Sequence, residues 1–125
     1  VASVSGVGSA RGLARAYAAA TIGSDGGPPL LSPGTVEEVS QLRTAGPDLV
    51  LGSETRFAVL FQKPHPGLDF GTARAFGHDG AGGALGFADP GTGIAFGYTT
   101  QRAPSPGGAD RRAIAIVQAV RALRL

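Results

Sequence analysis

The chain has 125 residues, 42% of them hydrophobic and 16% charged, with a net charge of +2 and no cysteine. That is enough apolar material for one small domain, which excludes disorder by composition, and a charge this small and scattered does not mark a nucleic-acid surface. The lack of cysteine excludes disulfides and thiolate metal sites, and no apolar run approaches the roughly 18 residues that a membrane span needs.

A first helix is predicted over residues 9–20. Ser9 can cap it, and Ala10, Leu13, Ala14, Tyr17 and Ala18 recur at helical spacing on one face. A second helix is predicted over 33–43, with Ser32 as the cap, Pro33 at the first helical position and Val36, Val39 and Leu42 as its stripe. It should stop before Gly46 and Pro47.

The period then changes. Residues 56–62 (RFAVLFQ) read as a buried strand with Phe57, Val59 and Phe61 on its apolar face, and 63–71 (KPHPGLDFG) as a loop. Further strands are predicted over 75–78, 84–88 and 94–99, the last two as an antiparallel pair joined through a turn at Asp89 and Pro90. After a Pro- and Gly-rich break, Asp110 can cap a closing helix over 111–123. The order of elements predicts an α+β fold, an antiparallel sheet flanked by helices.

One stretch asks for a chemical explanation. His78 and Asp79 are followed by Gly80, Ala81, Gly82 and Gly83, so three glycines crowd the start of a strand pair. Glycine weakens a strand interior unless something must approach the backbone closely. The other histidine, His65, lies between two prolines and reads as a solvated loop residue. His65, Asp69, His78 and Asp79 are the nearest set of metal-ligand types, and their spacing follows no metal pattern. Gly6 and Gly8 precede a helix, but Arg11 stands where a dinucleotide fingerprint needs its third glycine. Neither a metal nor another cofactor is therefore predicted. No serine sits in a Gly-x-Ser-x-Gly elbow.

The stretches GHDGAGGALGFADP (77–90) and GIAFGY (93–98) resemble the C-terminal third of serine hydrolases related to class C β-lactamases and penicillin-binding proteins. The branch they most resemble is the actinobacterial β-lactamase-like esterases and lipases. SARGLARAY (9–17), LLSP (30–33) and the stretch from Asp110 to Leu125 resemble that family in the same order. The resemblance implies an antiparallel sheet between terminal helices, with a helical region inserted. It implies a nucleophilic serine in Ser-x-x-Lys, a Tyr or Ser element and a Lys-Thr-Gly triplet on one strand.

Here His78, Asp79 and Gly80 occupy the triplet, which argues against tight recognition of a β-lactam carboxylate. By resemblance, His78, Asp79, Gly80 and Ala81 belong to the catalytic site, on a strand beginning at Gly80. The Ala81 N–H would be one oxyanion-hole donor, and Gly82 and Gly83 would border the substrate pocket. Neither Ser-x-x-Lys nor Tyr-x-Asn occurs in the chain, whose one lysine is Lys63. The expectation is a C-terminal portion of a serine ester hydrolase, with nucleophile and base preceding Val1. It would be inactive alone and dependent on its N-terminal part or a partner chain. The substrate would be a small ester or β-lactam-like molecule. The alternative is a catalytically silent binding module of the same fold.

Overall fold

The computed structural model describes residues 6–123. It has three helices, α1 (Ala10–Thr21), α2 (Pro33–Ser40) and α3 (Arg111–Ala122). Five strands lie between α2 and α3: β1 (Thr44–Pro47), β2 (Glu54–Phe57), β3 (Phe76–Asp79), β4 (Leu85–Asp89) and β5 (Ile94–Tyr98). The architecture is α+β, with all strand pairing antiparallel.

Each helix starts on a side-chain cap, which satisfies backbone N–H groups that have no partner in the first turn. Ser9 Oγ accepts from the Gly12 N–H at 3.1 Å, Ser32 Oγ from Thr35 at 3.2 Å, and Asp110 Oδ1 from Arg112 at 2.8 Å. The Arg112 guanidinium also grips the Asp110 carboxylate, and its hydrogen bonds hold that carboxyl below the usual range.

Two predicted elements differ. The second helix ends at Ser40, not near residue 43, because Gln41 turns extended and the Arg43 N–H donates to the Phe57 carbonyl. Residues 44–47 then form β1, a strand with no apolar alternation to announce it. It is an edge strand with β2 as its one neighbour, a position that tolerates Pro47.

The strand expected over 56–62 is also corrected. β2 ends at Phe57, and the Ala58 N–H reaches the Phe61 carbonyl at 2.7 Å, closing a tight reversal. The apolar run is therefore split. Phe61 packs on Phe76 and Tyr17, whereas Val59 lies on the outside of the turn, 53% exposed. Beyond the reversal Gln62 pairs with Phe57 on one side and Gly77 on the other, so one residue joins the β1–β2 ribbon to the β3–β4–β5 sheet.

β4 is buried along its whole length because the sheet is covered on both faces. Leu85 and Phe87 point toward α3, where Ala113 and Val117 meet them together with Leu68 and Phe70. Phe87 lies between the rings of Phe70 and Phe96, each 5.2 Å away, and burying a side chain of this size contributes about 2–3 kcal/mol. Phe76 and Ala88 face the other way, toward Val36 of α2, with Tyr17 of α1 beside them.

At the end of β4 the carboxylate of Asp89 is buried and fully engaged. It accepts from the Thr72 N–H (2.8 Å), the Thr72 hydroxyl (2.7 Å) and the Gly91 N–H (2.9 Å), pinning the 72 turn to the β4–β5 turn.

Candidate active site

His78 and Asp79 are the last two residues of β3, and their register assigns them opposite faces. His78 stands opposite Gly86 and Asp79 opposite Leu85, so His78 shares the face of α1 and Asp79 that of α3. Residues 80–84 are not strand but the hairpin turn between β3 and β4. Gly83 N–H donates to Gly80 O at 2.8 Å, and Gly80 N–H to Ala84 O at 2.9 Å. The strand expected to begin at Gly80 is thus a turn, since five residues must reverse the chain onto β4.

Within that turn the glycines have different reasons to be there. Gly83 has φ +95°, and a Cβ on it would lie 2.7 Å from Pro104 Cδ and 2.8 Å from Thr100 Cγ2. Gly82 is exposed, and a Cβ there would meet nothing within 4 Å. Gly80 would meet only Ala84, at 3.7 Å. Ala81 is exposed, and among the described residues its N–H has no hydrogen-bond acceptor.

An open cleft of about 740 Å³ runs past this turn. Ala81, His78 and Asp79 line it, facing Gln62, Glu54 and the segment 106–109. Gly80, Gly82 and Gly83 do not line it. His65 does, so this loop histidine shares the cleft with His78. No sequence signal joins the two, since the reversal at 58–61 is what carries His65 back to β3.

The hydrogen bonds define the tautomers of the two rings. His78 Nδ1 lies 2.5 Å from the Asp79 carbonyl, which can only accept, so Nδ1 carries the proton and the neutral ring keeps its lone pair on Nε2. His65 is the reverse: its Nδ1 accepts from the Gly67 N–H at 3.2 Å, leaving Nε2 as the donor. One ring therefore offers an acceptor and the other a donor. The His78 ring is 53% exposed, with Phe57 at a centroid distance of 6.3 Å.

Asp79 has a different task. Its Oδ2 accepts from the Ala109 N–H at 2.7 Å, while Oδ1 stays 3.9 Å from His78 Nδ1, too far for a hydrogen bond. The carboxylate thereby holds the segment leading into α3 against the hairpin, where Gly107 comes close to the Ala81 carbonyl. The Asp79 N–H donates to Gln62 Oε1 at 2.8 Å, a contact that sequence reasoning missed.

Lys63 is buried and does not line the cleft. Its Nζ donates to the Ser40 and Ala75 carbonyls, both at 2.5 Å, tying the end of α2 to the start of β3. Burial pushes this amine down to about 8, with the Asp89 carboxylate opposing the shift. Among the described residues no three His, Asp or Glu side chains converge as metal ligands.

A family model described as Beta-lactamase matches residues 2–121. The fold superposes on EstA from Arthrobacter nitroguajacolicus Rue61a with a TM-score of 0.86 and 45% identity, covering 93% of this chain and 32% of that one. It also superposes on a penicillin-binding protein homologue from Caulobacter crescentus, with a TM-score of 0.81 and 34% identity, covering 94% and 32%. No curated protein matches the chain. It spans about a third of the length of these two solved structures. With a family model matching nearly its whole length and two solved structures sharing its fold well above chance identity, the chain belongs to the β-lactamase family.

Proposed function

We propose that this chain is the C-terminal part of a serine ester hydrolase and forms one wall of its active site. The observation that carries the reading is the Ala81 N–H, exposed in a glycine-rich turn beside His78 and without an acceptor among the described residues. A donor of this kind stabilises the oxyanion of an acyl-transfer transition state by about 3–4 kcal/mol when it is preorganised. The turn is held rigid by its two internal hydrogen bonds and by the Asp79–Ala109 bond. The nucleophilic serine, outside this chain, would attack the ester carbonyl, and its own N–H would be the second donor. The alcohol then leaves, and water releases the acid from the acyl-enzyme.

A carboxylic ester suits the site better than a β-lactam, because a half-exposed histidine replaces the lysine of the triplet. His78 Nε2, with its lone pair free, is the atom available to accept a proton or a hydrogen bond. The rest of the hydrolase would come from the same polypeptide or a partner chain. Leu49 and Val50, adjacent in the turn between β1 and β2 and exposed at 97% and 93%, are apolar side chains that such a covering part could bury. The absence of Ser-x-x-Lys from the 125 residues fits this reading and equally a second one, a silent binding module of the same fold.

Hydrolysis of a short-chain p-nitrophenyl ester decides between them. The chain is assayed alone and after mixing with a separately produced N-terminal part that carries the serine and lysine. Activity only in the mixture is expected. Activity in the isolated chain would overturn the split site, and an assembled but inactive mixture would establish the silent module.

A further inference from the structure

Gln62 occupies an unusual place beside the cleft. Its backbone exchanges two hydrogen bonds with Gly77, N–H to O at 2.8 Å and O from N–H at 3.1 Å. Its side chain then reaches along the same edge of β3 and accepts the Asp79 N–H at 2.8 Å. A backbone N–H can only donate, so the atom it meets is the carboxamide oxygen, and this settles which way the amide points. The Nε2 end has no acceptor among the described residues. Every fully buried side-chain nitrogen or oxygen described has a partner, so Nε2 is not fully buried, and Gln62 as a whole is half-buried. Gln62 lines the same cleft as His78 and Ala81.

We infer that Gln62 is a substrate-contacting residue. With Oε1 anchored by Asp79, its Nε2–H donors bind an oxygen of the acyl group, the carbonyl of an ester or the carboxylate of the released acid, in the cleft that Ala81 also lines. The anchoring matters because a free glutamine would lose rotamer entropy on binding, whereas this one is already held in place. The inference rests on reading the cleft as an ester-binding site, and it assigns specificity for the acyl oxygen to a residue outside the His78–Ala81 stretch.

The test is a titration of the isotopically labelled chain with sodium butyrate, followed by ¹H–¹⁵N spectra. The Gln62 side-chain NH₂ pair and the Ala81 backbone N–H should shift along one binding curve. Gln62→Glu keeps an acceptor for the Asp79 N–H but removes the donors, and Gln62→Met removes both without adding charge. Each should weaken binding about tenfold, the loss expected of one hydrogen bond to a charged acceptor. Gln62→Glu should melt within about 2 °C of the parent chain, which separates lost contact from lost fold. Wild-type affinity in both variants, an Ala81 shift without a Gln62 shift, or no butyrate binding at all would overturn the proposal. Failure of ester hydrolysis in the assembled mixture would overturn the hydrolase reading alone and leave a positive butyrate result standing.

Discussion

Gly86 and Gly97 stand opposite each other on β4 and β5, and α1 lies on the pair. A Cβ on Gly97 would sit 2.2 Å from the Ala10 carbonyl and 2.6 Å from the Ala14 nitrogen. The helix backbone touches the sheet there, with no side chain between them. On Gly86 the obstacles are side chains, Tyr17 Cε2 at 2.6 Å and Leu13 at 2.9 Å.

Backbone cannot step aside as a side chain can, so the two positions should respond unequally to a methyl group. Gly97→Ala should cost about 3 kcal/mol and Gly86→Ala about 1 kcal/mol. Urea denaturation of the two variants checks the order. Equal losses would mean that α1 moves as a body.

The hairpin turn gives a second contrast. Gly83→Ala combines a left-handed backbone with a clash against Pro104 and should lose about 2–3 kcal/mol. Gly82→Ala meets open space and should stay within about 0.5 kcal/mol of the parent.

Asp79 should act as a fastener. Asp79→Ala removes the acceptor of the Ala109 N–H and should cost about 1–2 kcal/mol. Asp79→Asn retains an oxygen for that bond and should cost less. Hydrogen exchange at Ala109 reads the effect directly: it should speed up in the alanine variant and stay near the parent rate in the asparagine one.

Lys63 sets a pH dependence whose sign follows from linkage. Its folded value, about 8, lies below the usual lysine range, so between about pH 8 and 9.5 the unfolded chain binds more protons than the folded one. Stability therefore rises with pH across that window, by at most about 1.4 kcal/mol per pH unit. Burial raises Tyr17 instead, which works in the opposite direction above pH 10 and confines the test to the lower window. Lys63→Met should remove the rise. At neutral pH, leaving the Ser40 and Ala75 carbonyls unpaired should offset what is gained from the lost buried charge. Urea midpoints at several pH values measure both effects.

The α+β class, the helix caps and the β4–β5 hairpin were legible in the sequence because they are local. Ser9, Ser32 and Asp110 cap through bonds to residues two or three positions away, and the apolar pattern on either side of Asp89 and Pro90 needs no distant partner. The family, too, was written in the glycine-rich stretch from 77 to 98. What only the tertiary structure decided were relationships between residues far apart in the chain. The run from 56 to 62 is apolar enough for a buried strand, yet it reverses at 58–61 because Gln62 finds pairing partners at Phe57 and Gly77 together. That reversal buries Lys63, brings His65 to the cleft of His78 and places the Gln62 carboxamide against Asp79. Periodicity and propensity describe a segment by its neighbours in sequence, whereas the Lys63 and Gln62 side chains are held by hydrogen-bond partners 12 to 23 residues away.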